Sequence, residues 1–338
     1  MFLYHREVGW YNGIKICKMK ILYGIQSTGN GHITRSSKII YKLIKSGCEV
    51  DVLLSGNNSQ IKFDFPVKYK LNGFTFYYTD KGQIDYFKTF FKIDFLSFLK
   101  DIRLDVNQYD LVVSDFEPIT SWACRIKGKK CIGMSNQCSF LSDKTPRPDK
   151  KNFLGEFLLK NIAPVSHPIG LHFDRYDSFI VPPIIKENFI KIKPNDYGYY
   201  SVYLPTYKIE NLLTEFTKLN NIKFEIFSDI NKDVRFKNCK IRKIDKYEFE
   251  ESLRNCHGVI TAAGFQTPSE ALYMGKKLMV IPIKGQYEQE CNAVALQKMG
   301  VSSGNSITDV HKFIFEGTVV KVNWVDSSDE IIKIILSH

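Results

Sequence analysis

A chain of 338 residues with 44% hydrophobic and 25% charged content and a formal net charge of +11 has room for two globular domains, each with its own core. No stretch approaches the roughly 18–20 uninterrupted apolar residues of a membrane span, and nothing in the composition is that of a fibrous or disordered chain. The positive charge calls for an anionic partner, but the lysines are scattered rather than massed in a stripe, which argues against nucleic acid.

Residues 1–18 lack the apolar core and cleavage site of a signal peptide and read as an N-terminal extension, with Met19 as the functional start. The run MKILYGI from Met19 predicts a strand, the turn QSTGNGH follows, and apolar spacing predicts a helix from about Ile33 to Ser46, closed by Gly47. EVDVLLS supplies the next strand. This opening βαβ unit with a glycine-rich turn marks an open parallel α/β sheet. Residues 61–83 read as two short edge elements. From Asp85 to Val106, aromatic residues alternate with lysines. The first reading is a helix covering the sheet with its aromatic side; the second is a face for an anionic membrane or a lipid acceptor. A strand ending at Asp115, a helix from Pro118, the strand-to-turn unit KKCIGMSNQCSFL, a helix over FLGEFLLKNIAP and the strand DSFIVPPII complete this half.

The second half restarts the rhythm. YYSVYLP, FEIFSD and CKIRKID predict strands, and TYKIENLLTEFTKL and EFEESLRNC predict helices. A unit from Gly258 to Ala293 follows: strand Gly258–Ala262, glycine turn Ala263–Thr267, helix Pro268–Met274, strand Lys277–Ile281 and a polar loop to Asn292. VKVNWVDSSDEIIKIILSH predicts a short strand and a terminal helix. The expected division is therefore 19–183, 184–325 and a terminal helix, 326–338, packing back on the first domain. The eight cysteines contain no C-x-x-C pair and sit in apolar segments, so buried free thiols and a reducing, cytoplasmic setting are expected.

Five places could carry chemistry. Gly29 and Gly31 open the first helix, but Thr34 stands where a dinucleotide fingerprint needs a third glycine and Ser55 where it needs an acid. His32 sits instead at the helix start, where the positive end favours the neutral imidazole a general base needs. Asp115 and Glu117 close a strand at the carboxyl edge; either could orient His32, and Glu117 could equally cap the helix at Pro118. In the second half, the turn before Pro268 leaves first-turn N–H groups free for a phosphate, with Thr267 as N-cap and Glu270 placed for ligand hydroxyls. Thr206 and Tyr207 open another such turn. Gln286, Glu288, Gln289 and Asn292 form an amide- and carboxylate-rich stretch that suits a ligand dense in hydroxyls. No histidine–carboxylate cluster has metal-ligand spacing, so neither metal nor cofactor is expected, and His167 and His172 read as structural.

GNGHITR, SDFEP and AAGFQTPSEALYMGKKLMVIPIKGQYEQECNA together resemble the GT-B glycosyltransferases, in the group holding the lipid-II-forming N-acetylglucosaminyltransferase and the UDP-glycosyltransferases. The resemblance covers nearly the whole chain from Met19. It implies two Rossmann-like doubly wound domains facing a central cleft, and transfer of a sugar from a nucleotide-sugar donor, UDP-linked, to a hydroxyl on a glycan, lipid or small-molecule acceptor. The chemistry implied is inverting and metal-independent. Carried onto these positions, Gly264, Phe265, Gln266 and Thr267 cradle the diphosphate and Glu270 holds the ribose. Gln286, Glu288 and Gln289 read the sugar, Lys243 and Ile244 flank the base, Gly29 and Gly31 face the diphosphate, and His32 deprotonates the acceptor. The chain has Ala262–Ala263–Gly264 where glucuronosyltransferases have His–Gly–Gly. It also implies a cytoplasmic protein, with peripheral contact at the inner face of an anionic membrane as a further expectation. Two alternatives remain at this level: a UDP-sugar epimerase of the same fold, and a non-catalytic nucleotide-sugar-binding protein.

Overall fold

The computed structural model describes residues 9–11, 14–16, 19–27, 30–56, 63–73 and 94–338. A short antiparallel hairpin, Gly9–Tyr11 with Ile14–Ile16, precedes the first domain. The first sheet contains β1 (Lys20–Gln26), β2 (Glu49–Ser55), β3 (Tyr69–Leu71), β4 (Leu111–Asp115), β5 (Cys131–Ser135), β6 (His167–Leu171) and β7 (Ile180–Val181). Its order is β3-β2-β1-β4-β5-β6-β7, all parallel. Strands such as ILYGI and LVVSD are buried along their whole length, as expected where helices cover both faces of a parallel sheet. The helices that concern the site are α1 (Asn30–Lys45), α2 (Phe95–Asp101), α3 (Pro118–Ile126) and α4 (Phe153–Asn161).

After the short linker helix α5 (Glu187–Lys191), the second sheet repeats the pattern with β8 (Tyr199–Tyr203), β9 (Lys223–Ser228), β10 (Val234–Phe236), β11 (Cys239–Lys243), β12 (Gly258–Ala262), β13 (Lys277–Ile281) and β14 (Ser302–Ser303). The order is β10-β11-β9-β8-β12-β13-β14, parallel except for the antiparallel edge strand β10. Its helices are α6 (Ile209–Phe216), α7 (Lys246–Asn255), α8 (Gln266–Tyr273), α9 (Tyr287–Lys298), α10 (Val310–Glu316) and α11 (Ser328–Leu336). The last of these lies against α1, with Lys42 2.5 Å from Asp329 and Arg175 bidentate to Glu330 at 2.9 and 2.6 Å.

Several elements differ from the sequence expectations, each for a local reason. Helix α8 begins at Gln266, not Pro268, and Phe265 rather than Thr267 precedes it, with no side-chain cap. Phe265 packs 5.2 Å from Phe173 of the first domain, and that apolar contact outweighs the capping preference of threonine. The polar stretch 282–292 is not all loop, because α9 starts at Tyr287. Strand β6 has no counterpart among the predicted elements, because Pro168 and Gly170 mask its β character. Residues 317–326 hold no strand; Val320, Val322 and Trp324 anchor that segment by side-chain packing, with Trp324 stacked on Phe173 at 6.4 Å. Helix α2 covers only the end of the aromatic stretch 85–106, much of which lies outside the described residues. Among the described residues no helix is long and apolar enough to cross a membrane, and the seven described cysteines are free and buried.

Candidate active site

The first part of the site forms where β1 and β4 end side by side. Parallel pairing sets Ile25 opposite Asp115, and the first turn of α1 reaches the end of β4 through His32. His32 Nδ1 lies 2.8 Å from Asp115 Oδ1. An ionised carboxylate only accepts, so the Asp115 contact favours the tautomer with its proton on Nδ1, whereas Arg35 Nη2, which only donates, lies 2.6 Å from the same nitrogen and favours the opposite one. Asp115 is fully buried and also holds Arg35: Nε donates to Oδ2 at 2.8 Å, and Nη2 donates to Oδ1. Ser36 Oγ donates to Oδ2 at 2.9 Å. Burial alone would raise the Asp115 carboxyl, but Arg35 and His32 more than offset this and hold it below the usual carboxylate range.

Glu117 does not share this role. Phe116 adopts a left-handed φ of 53°, which breaks the strand alternation and swings Glu117 away from Asp115. Its carboxylate accepts from Ile119 N at 2.8 Å and Thr120 N at 2.7 Å, capping α3. Gly24 allows this arrangement, because a Cβ there would collide with Thr120 and Glu117. Of the two carboxylates, the one that pairs with His32 is therefore Asp115.

The second part is a cleft of about 440 Å³ between the domains, lined by Gly31 and Thr34 of α1, Asp64, Lys186 of the linker, and Gln266, Thr267 and Glu270 of α8. The starts of α1 and α8 face each other so closely that a Cβ on Gly31 would lie 3.6 Å from that of Gln266. Two helix N-termini thus present their positive ends to one space, a favourable seat for an anion. At the far end Tyr203, Phe227, Phe249 and Ile244 line the cleft, with Phe227 and Phe249 edge to face at 5.1 Å; flat apolar walls of this kind suit an aromatic base. Glu270 is buried and accepts from Gln266 Nε2 at 2.6 Å. Burial pushes its carboxyl up, against the pull of Lys186.

The remaining candidates are placed as follows. A Cβ on Gly264 would meet nothing within 4 Å, whereas the Phe265 ring turns away into the interdomain aromatic cluster. Thr206 and Lys243 do not line the cleft. Gln289 ties down its own loop: its Nε2 donates to Gln286 Oε1 at 2.8 Å, and its Oε1 accepts from Ile283 N at 3.1 Å. Glu288, in the first turn of α9, reaches the first domain, accepting from Gln137 Nε2 at 2.7 Å. Burial raises its carboxyl, while His32 lowers it, which places it within electrostatic reach of the dyad. Gly29 lies outside the described residues. Sequence reasoning passed over Arg35, Gln137, Glu250 and Lys186. Arg35 could have been found, since it stands one turn from His32 on the same helix face. Among the described residues no three His, Cys, Asp or Glu side chains converge as a metal site would require.

Two doubly wound α/β domains facing a cleft define the GT-B glycosyltransferase fold. The profile of the family described as Glycosyl transferase family 1 matches residues 19–321, and the chain belongs to that family and is a glycosyltransferase. Among solved structures it is similar to the spinosyn forosaminyltransferase SpnP (12% identity, TM-score 0.56, covering 95% of this chain and 100% of that one). It is similar as well to MurG of Acinetobacter baumannii (11%, 0.56, 95% and 100%) and to Arabidopsis thaliana UGT89C1 complexed with UDP (13%, 0.55, 95% and 90%). No curated protein matches the chain.

Proposed function

We propose that this glycosyltransferase moves a sugar from a UDP-linked donor to a hydroxyl acceptor by single displacement with inversion, without a metal ion. The observation that carries the reading is the opposition of α1 and α8 across one cleft, lined by Gly31 and Thr34 on one side and Glu270 on the other, with His32, paired to Asp115, next to Gly31 in the first turn of α1. The donor diphosphate lies at the uncapped start of α8, Glu270 takes the ribose hydroxyls, and the base rests against Phe227, Phe249 and Ile244. His32 Nε2 accepts the acceptor proton as its oxygen attacks the anomeric carbon. The bond to the diphosphate breaks, and the leaving charge is met by N–H groups and the helix dipole. That UGT89C1 was solved with UDP supports the nucleotide assignment.

The test is a thermal-shift series with nucleoside diphosphates. UDP is expected to raise the melting temperature, and Glu270→Ala to abolish the rise. No shift with any nucleoside diphosphate would sink the proposal.

A further inference from the structure

The linker between the two sheets carries a lysine into the cleft. Lys186 Nζ lies 3.0 Å from Glu250 Oε1 and 3.2 Å from Glu270 Oε1, so it bridges α7 and α8 of the second domain. The neighbouring linker residues hold to the same helices: Gln266 Nε2 donates to the Ile184 carbonyl at 3.3 Å, and Asn188 Nδ2 lies 3.5 Å from Glu250 Oε2. On the other side Lys38 of α1 donates to the Ile185 carbonyl at 2.6 Å. The Lys186 ammonium is thus held by two helices of the second domain, while Lys38 of the first ties down the linker backbone beside it, and the base chemistry described above makes no use of it.

Its position has an electrostatic consequence. Glu250 and Glu270 are both buried, and two neighbouring carboxylates without a countercharge favour taking up a proton. Burial works against the charge on Lys186, yet Glu270 and Glu250 more than offset it and hold the ammonium above its ordinary range. The groups facing Glu270 are Lys186 from the linker, Gln266 from its own helix and Glu250 from α7; Asp245, Lys246 and Asp64 line the same cleft. An ionised carboxylate accepts from both hydroxyls of a vicinal diol, whereas a protonated one gives up part of that capacity.

We infer that Lys186 is a positioning residue of the donor site, whose bridge to Glu250 and Glu270 keeps Glu270 a charged acceptor for the ribose diol of the nucleotide. The inference rests on the donor assignment above and deepens it by adding a residue that belongs to the linker.

The experiment is calorimetric titration with UDP and with 2′,3′-dideoxy-UDP between about pH 6 and about pH 9. The wild type is expected to favour UDP by about 10- to 100-fold, the range of a charge-assisted hydrogen bond. In Lys186→Met the pH at which this preference sets in should move upward by about one unit or more, because Glu270 then ionises without its countercharge. Lys186→Arg should keep the wild-type profile. If Lys186→Met fails to fold, Lys186→Met/Glu250→Gln, which also removes the like charge, carries the test and should lie between the two. A Lys186→Met protein that binds UDP more tightly with undiminished preference at every pH would show the lysine competing with ribose. That result overturns the inference and leaves the donor assignment standing. A wild type that does not bind UDP overturns both.

Discussion

His32 and Asp115 meet at 2.8 Å because two adjacent parallel strands end level with one another and the helix following one of them starts over the end of the other. The carboxylate is not reserved for the imidazole. Arg35 takes both of its oxygens and Ser36 one, so Asp115 is already balanced by a permanent cation. In the proposed mechanism its part is to fix the ring more than to supply a full counter-charge to an imidazolium.

Replacing His32 by Ala should lower kcat by about 10²–10⁴-fold, the usual worth of a positioned base, while the thermal shift with UDP survives. Full turnover in that variant refutes the assignment. Asp115→Asn should also lose turnover, but it strands Arg35 as a buried unpaired charge at a cost of about 3–5 kcal/mol. It should therefore melt well below the wild type, and Arg35→Met/Asp115→Asn should recover part of that loss without recovering activity.

The alternation of strands and helices and the placing of Gly31 and Gln266 at helix starts beside one cleft were readable because each has a short-range cause: apolar period, or glycine and polar residues where a strand gives way to a helix. What escaped reading depends on contacts distant in sequence. Thr267 and Pro268 look like the start of a helix, yet Phe265 docks on Phe173 and the helix begins two residues earlier. Gln286 and Gln289 look like ligand-reading amides, but Gln289 satisfies the backbone of its own loop at Ile283. Asp115 and Glu117 are equivalent by alternation, and only the left-handed turn at Phe116 separates them. Lys186 carries no local signal. Its role appears only when the linker is laid between α7 and α8.

Glu288 and Gln137 are the polar pair that joins α9 of the second domain to the segment after β5 of the first, at 2.7 Å. If the pair persists while the enzyme turns over, Gln137→Ala and Glu288→Ala should be coupled. Their effects on kcat/KM should depart from additivity by about 0.5–3 kcal/mol in a double-mutant cycle, the range for residues in contact. Strictly additive effects would mean that the domains part at this point during turnover. Glu288→Ala should in addition weaken discrimination among UDP-sugars, since its carboxylate lies near the dyad. Competition assays with pairs of donors measure this.

His172 is buried among Phe140, Phe173 and Tyr176, with ring centroids 5.1–5.6 Å away. Its Nδ1 accepts from the Phe173 backbone N–H at 2.9 Å, which requires the neutral ring. Burial pushes its pKa down to about 3 from an ordinary 6.5. As the pH falls below the ordinary value, the unfolded chain takes up a proton there that the folded chain refuses. Stability is therefore lost from about pH 6.5 toward about pH 3, at roughly 1.4 kcal/mol per unit. His172→Phe keeps the aromatic packing and removes the titration. Urea unfolding at about pH 7 and about pH 5 should show the variant losing about 2 kcal/mol less than the wild type between the two conditions. Equal losses would mean that His172 accepts a proton in the folded protein, and so is neither sealed from water nor held neutral by the Phe173 amide.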